Sequence, residues 1–285
     1  MRARATPPGT LTHPTRVSVC SRPRAAVARA SIVTFDVDGT LVRSVGDDAN
    51  KLHKEAFAEG LKVLGIDDQR GIDVIEHHGS TDGLILVRTA HFHGIDPQIA
   101  MEKLPEMQER MVQYFRANKE RASFGIEVLP GVESLLATLS KLPDVYVGLT
   151  TGNLEDIGWM KMEELGLIQY FTAPRFGGFG NLYCSGELDV NKSYLDRAKL
   201  LDIAAQRAVA LAGANDASDF HRVHVGDAPH DVDAAVEAGV FALGTLTGIF
   251  TEDDLRRRCG PAHDLVTVLP SLADTAEVLR ALRAT

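Results

Sequence analysis

The sequence predicts an α/β fold, a three-layer, doubly wound parallel sheet of the Rossmann-like kind with a small all-helical domain inserted after its first strand. Three observations predict it. The run Ser31-Ile32-Val33-Thr34-Phe35 reads as a buried strand that ends in two carboxylates, Asp36 and Asp38, with Gly39 behind them. From residue 127 onward short β-like runs recur at 145–149, 223–225, 240–243 and 265–268, each followed by a helical stretch. Between these two regions, residues 48–121 carry apolar residues at helical spacing and no convincing strand.

The elements follow in chain order. Residues 1–30 carry Arg2, Arg4, Arg16, Arg22, Arg24 and Arg29, several hydroxyl residues and no acid, the composition of an organelle transit peptide. Val27-Ala28-Arg29-Ala30 offers small residues for processing. Its Pro content and lack of an amphipathic helix point to the chloroplast, with the mitochondrion as the alternative and the cytoplasm if the leader has no targeting role. The α/β core then takes residues 31–47 and 122–285, and the helical cap takes 48–121. Within the cap, 51–64, 81–93 and 97–118 read as helices. In the core, 153–165 and 231–238 read as helices stopped by Gly166 and Gly239. Alternating strands and helices imply right-handed crossovers and a parallel sheet. Gly177-Gly178 with Gly180 reads as a tight turn or flap, since no phosphate-loop signature follows, and Phe176 and Phe179 read as packing groups. Trp159, with Leu154, Ile157 and Met162, reads as core.

Composition limits the partners. At 285 residues, with 45% hydrophobic and 24% charged, the chain can bury a full core and a second small domain. No apolar run approaches the roughly 18 residues that span a bilayer, so no membrane helix is expected. Cys20, Cys184 and Cys259 are far apart without C-x-x-C spacing, which argues against a disulfide framework or a zinc site and for a reducing compartment. A net charge of −9 argues against a nucleic-acid partner, which needs a basic stripe. Oligomeric state is not legible.

The chemistry gathers at strand ends, where ligands bind in open α/β sheets. Asp36 and Asp38 can face one pocket if the chain turns after Asp36, and Gly39 permits that turn. The pair suits a metal, an acid/base couple or a nucleophile. The run 145–153 closes with Thr150-Thr151-Gly152-Asn153, just before a helix whose N-terminal amides can hold an anion. Val223-His224-Val225-Gly226-Asp227 ends another strand in a carboxylate, and Asp231 opens the next helix, where an N-cap is the rival reading. Clustered hard oxygen donors suit Mg²⁺ better than zinc.

In these motifs the chain resembles the haloacid dehalogenase superfamily, in its phosphoglycolate-phosphatase-like branch with a helical cap. Asp36-Val37-Asp38-Gly39-Thr40-Leu41-Val42 resembles the family's first motif, Leu149-Thr150-Thr151-Gly152 its second and Gly226-Asp227-Ala228-Pro229-His230-Asp231 its fourth, and the match extends over residues 31–283. The third motif, a basic residue near the start of the preceding helix, is open between Arg197 and Lys192; Arg197 is preferred because 196–201 opens the most regular helical stretch. The resemblance implies an enzyme, a Mg²⁺-dependent phosphoric monoester hydrolase. It implies Asp36 as nucleophile, Asp38 as general acid and base, Thr151 and Arg197 as phosphoryl-holding groups, and Asp36, Asp227, Asp231 and the backbone carbonyl of Asp38 as metal ligands. A dehalogenase expels halide and needs neither proton nor metal, so the second Asp favours phosphoryl chemistry.

The cap would admit only small phosphorylated metabolites, with phosphoglycolate implied by the resemblance. The polar turn 77–83 is the cap segment best able to reach a substrate, with Thr81 and Asp82 as candidate substrate contacts beside Gly152 and Asn153, although a capping turn explains Thr81 and Asp82 nearly as well. The alternatives are a phosphomutase acting on a sugar phosphate through the same nucleophile, and a non-catalytic binding protein on this fold. His230 reads as a packed residue.

Overall fold

The computed structural model describes residues 29–46, 48–257 and 264–283. Of the leader expected at 1–30, only Arg29 and Ala30 fall among the described residues, and Cys20 and Cys259 lie outside them. β1 (Ser31–Phe35) runs into a tight turn and β2 (Val42–Ser44), after which come α1 (Lys51–Leu61), α2 (Asp82–Phe92) and α3 (Pro97–Ala117). β3 (Ile126–Val128) returns antiparallel to β2, Val42 opposite Val128, so that a short ribbon forms the stem of the helical insertion. The chain continues through α4 (Val132–Leu139), β4 (Val145–Thr151), α5 (Glu155–Glu164), β5 (Gly177–Phe179) and α6 (Ser193–Ala212). It ends with β6 (His221–Gly226), α7 (Pro229–Glu237), β7 (Phe241–Thr245), α8 (Glu252–Arg256), β8 (Val266–Leu269) and α9 (Thr275–Arg283).

Among the described residues the main sheet has six strands in the order β5-β4-β1-β6-β7-β8, every neighbouring pair parallel. The chain builds outward from β1 through β4 to β5, then crosses back to place β6 on the other side of β1. That reversal opens a crevice beyond the C-terminal ends of the central strands. Register aligns those ends, since Phe35 faces Leu149 on one side and Val225 on the other. Residues that follow these three positions therefore project into one place.

Alternation along β1 assigns the layers. Val33 and Phe35 join a cluster with Leu135 of α4, Met162 of α5 and Val278 of α9. Ile32 faces the other way, among Phe176 and Ala205 and Ala208 of α6, while α7 covers β7 through Val232 and Ala235. The cap has its own apolar cluster, with Leu61 of α1, Leu86 of α2 and Met107 and Met111 of α3, but Leu154, Ile157 and Met160 of the core's α5 region complete it. The cap is thus seated on α5 by shared apolar burial.

Helix ends follow local chemistry. Thr81 caps α2 by accepting from the Leu84 amide, and Asp96 caps α3 ahead of Pro97 at its first position. Gly166 and Gly239 take left-handed φ values of 68° and 63° at their helix ends, the stop positions expected.

The expectation of a turn or flap at 177–180 is corrected: Gly177–Phe179 is the buried edge strand β5, paired with the end of β4. Three residues, two of them Gly, show no period-2 pattern. Their smallness is steric, since a Cβ on Gly178 would stand 2.0 Å from the Leu200 carbonyl oxygen, where α6 lies directly on the strand. The Gly178→Ala variant is expected to lose about 1–3 kcal/mol of unfolding free energy, read as a lowered urea midpoint.

Candidate active site

The site starts at the turn after β1. Val37 accepts from the amides of Leu41 and Val42, and Gly39 takes φ 93° in a place where a Cβ would lie 2.3 Å from Asp227 Oδ2. The turn therefore closes against the end of β6. Asp227 follows that strand and accepts from Thr40 Oγ1 at 3.0 Å. Asp231, in the first turn of α7, accepts from the Ala228 amide at 3.0 Å through Oδ2 and from His224 Nε2 at 3.3 Å through Oδ1. Oxygens of Asp36, Asp227 and Asp231 come within 4.8 Å of one another, and all three residues are buried. The N-cap expectation for Asp231 is corrected, since Ala228 is the N-cap and Asp231, the third residue of α7, bonds back to its amide while standing in the carboxylate cluster.

Arg197 enters from the first turns of α6. Its Nη2 lies 3.0 Å from Asp36 Oδ1 and also bonds Asp231 Oδ1, while Nη1 donates to the Gly79 carbonyl of the cap at 3.3 Å. Its Nε has no hydrogen-bond partner among the described residues. Lys192 lies instead at the surface, paired with Glu187 at 3.4 Å. Between the two residues left open by the sequence, Arg197 is the one that reaches the carboxylates.

Charge does not balance here. Burial and the neighbouring Asp231 and Asp36 push Asp227 up to about 8. Burial raises Asp36 as well, Arg197 opposes it, and Asp231 and Asp38 leave it at about 6. At Asp231 burial is outweighed by Arg197 and His224, which hold it at about 2. One guanidinium against three buried carboxylates leaves a deficit of positive charge. An all-oxygen donor set with that deficit fits a hard divalent cation.

Asp38 faces elsewhere. Lys161 Nζ lies 3.0 and 2.8 Å from its two carboxylate oxygens, and Asn153 Nδ2 donates to Oδ2 at 2.9 Å. Burial raises the Asp38 pKa, but the Lys161 charge and these hydrogen bonds outweigh it and hold the group at about 2. Thr151, at the end of β4, accepts from Asn153 Nδ2 at 2.9 Å and lines the same cavity as Gly152 and Asn153. That cavity, about 660 Å³, lies between core and cap, lined by Asp36, Asp227 and Arg197 of the core and by His53, Lys54, His77 and His78 of the cap, with Asp38 turned toward the cap side.

Of the two cap candidates, Thr81 is corrected as a substrate contact and Asp82 stands at the cavity's edge. Thr81 is fully buried and its hydroxyl is the α2 cap. Asp82 borders the cavity, but its amide donates to the Gly152 carbonyl at 2.8 Å, and its Oδ2 accepts from the Leu154 amide and bonds His53 Nε2, both at 3.0 Å. Asp82 thereby fastens the cap to the core. His230 packs with Nε2 3.0 Å from the Val190 carbonyl.

The sequence reading missed Lys161, His53 and His224. Each had a signal. Lys161 falls on the buried stripe of α5 with Leu154 and Ile157, His53 shares the α1 stripe with Phe57 and Leu61, and His224 interrupts an apolar strand. A polar residue on a buried face needs a partner, and these found theirs at the site.

A carboxylate cluster crossed by a buried arginine, at the C-terminal edge of a capped, doubly wound sheet, stands where enzymes of the α/β class place their chemistry. Residues 30–239 match the haloacid dehalogenase-like hydrolase family model, and the chain belongs to that family. A phosphoglycolate phosphatase of Agrobacterium fabrum is 25% identical over 76% of this chain and 81% of its own length. Another, of Pseudomonas putida, is 27% identical over 86% of this chain and 80% of its own. A solved hydrolase from Pseudomonas syringae shares the fold with a TM-score of 0.54 at 21% identity, covering 88% of this chain and 98% of that one.

The raised carboxylates set a pH dependence for the metal-free protein. Unfolded, these groups shed protons near 3.8, whereas native Asp36 and Asp227 keep theirs up to about 6 and about 8. The native state binds more protons across that window, so stability falls as pH rises through it. Thermal melts in EDTA from pH 5 to pH 9 are expected to show this fall in the wild type, with the part above about pH 6 removed in Asp227→Asn.

Proposed function

We propose that the protein is a Mg²⁺-dependent phosphatase that hydrolyses a small phosphorylated metabolite, 2-phosphoglycolate foremost, through an aspartyl-phosphate on Asp36. The observation that carries this reading is the position of Asp36. Its carboxylate touches Arg197 on one side and the Asp227–Asp231 pair on another, while Asp38 lines the same cavity. The phosphoglycolate phosphatase relatives support the substrate class. A cavity of about 660 Å³ under a cap suits a small molecule rather than a protein chain.

Asp36, Asp227 and Asp231, with the Asp38 carbonyl, would hold the cation, which supplies the positive charge that lets a carboxylate approach a phosphate. The chain's own groups do the rest. An Asp36 oxygen attacks phosphorus, the bond from phosphorus to the ester oxygen breaks, and its electron pair stays on the departing oxygen. Asp38, held as an anion by Lys161, takes up a proton as the anionic substrate enters and gives it to that oxygen. Arg197, with the Thr151 hydroxyl, binds the other phosphoryl oxygens as their charge shifts. In the second half, Asp38 takes a proton from water as the water attacks phosphorus, inorganic phosphate leaves, and Asp36 is restored. The helices of the cap keep bulk water from the intermediate.

Purified protein is expected to release inorganic phosphate from 2-phosphoglycolate within a panel of small phosphate esters, with Mg²⁺ and not in EDTA. Asp36→Asn is expected to lower kcat by at least ~10³-fold. Undiminished release by that variant would sink the reading, and phosphoryl transfer between sugar hydroxyls that depends on a bisphosphate primer would replace it with a mutase.

A further inference from the structure

Lys161 is only 1% exposed, a buried ammonium on a helix held at both ends of its reach. A charge there costs several kcal/mol unless it is fully paired. Its pairing is complete: an ammonium has three donors, two of which meet the oxygens of Asp38 at 3.0 and 2.8 Å. The third points to His53 Nδ1 at 3.4 Å. Because an ammonium can only donate, Nδ1 accepts and the ring presents Nε2–H to Asp82, 3.0 Å away. The stem of Lys161 cannot drift, since Leu154, Ile157 and Met160 on the same helix region are buried in the cap cluster.

The need for such a holder follows from the charges around Asp38. Its carboxylate sits on a short turn, two residues from Asp36, with Arg197 and a cation-binding cluster across the cavity. Arg197 attracts it while the carboxylates of the cluster repel it, so neither fixes its place. On the observed wall, Oδ2 is taken by Lys161 and Asn153, while Oδ1 has Lys161 as its one hydrogen-bond partner among the described residues. The side chain is 31% exposed, against 1% for Lys161.

We propose that Lys161 is the positioning residue for the acid/base group. It holds the Asp38 carboxylate on the cap side of the cavity, away from Arg197 and the carboxylate cluster, with Oδ1, bonded to Lys161 alone among the described residues, keeping a second lone pair for the ester oxygen. Asn153 fixes the second oxygen, and His53 and Asp82 extend the same hydrogen-bonded line into the cap. The proposal rests on the reading of Asp38 as the proton donor.

The test uses leaving groups. An alkoxide cannot depart without a proton, whereas p-nitrophenolate can, so a mispositioned acid slows alkyl esters selectively. In the full chain with Mg²⁺, kcat/KM is measured for 2-phosphoglycolate and p-nitrophenyl phosphate with the wild type, Lys161→Met, Lys161→Arg and Asp38→Asn. Lys161→Met is expected to lose about 100-fold on 2-phosphoglycolate and less than about tenfold on p-nitrophenyl phosphate, with Lys161→Arg recovering part of the loss. Asp38→Asn is expected to show the same split. The ratio of the two rates is independent of how much variant protein is folded. Equal losses on both esters in Lys161→Met, or no loss, beside a split in Asp38→Asn would overturn the role of Lys161 alone. Absence of a split in Asp38→Asn would overturn the reading of Asp38, and the role of Lys161 with it.

Discussion

The contact of Arg197 with Asp36 and Asp231 is the interaction on which the site depends. Three carboxylates within 4.8 Å, all buried, repel one another, and burial alone would keep each of them protonated. A single guanidinium that reaches two of them holds Asp231 as an anion and draws Asp36 partway, leaving Asp227 to carry the proton in the metal-free state. The rest of the architecture serves this cluster. The order β4-β1-β6 brings the strand ends together, Gly39 lets the first turn close against Asp227, and α6 delivers the arginine.

A second polar line runs from Asp38 through Lys161 and His53 to Asp82. It crosses the seam where cap and core meet, beside the bond between the Asp82 amide and the Gly152 carbonyl. Gly152 is small for the same reason, since a Cβ there would stand 2.5 Å from the Ser80 carbonyl oxygen. Apolar burial on α5 seats the cap, and these few polar contacts set its register over the cavity. The site is therefore divided, with the Asp36, Asp227 and Asp231 cluster built by the sheet and the Asp38 pairing built jointly with the cap.

Much of this was legible in advance because the signals were local. The strand that ends in Asp36, the helices at Lys51–Leu61, Asp82–Phe92 and Pro97–Ala117, and the glycine stops at Gly166 and Gly239 follow from periodicity and backbone chemistry. What failed had separate causes. The edge strand Gly177–Phe179 is defined by what packs on it rather than by its residues, and the Thr81 hydroxyl caps its own helix rather than reaching the cavity. Distance in sequence hid the partners. Lys161 and Asp38 are 123 positions apart, and nothing near either names the other.

The sequence by itself determined the α/β class, the helical insertion and the carboxylates at Asp36, Asp38, Asp227 and Asp231, because alternation, helical spacing and charges at strand ends are short-range patterns. Tertiary structure alone decided that Arg197 and not Lys192 meets those carboxylates, that Asp38 turns to Lys161, and that Asp82 braces the cap. Each of these is a choice of partner for a buried charge, and only the packing of distant elements determines which opposite charge stands within hydrogen-bond reach.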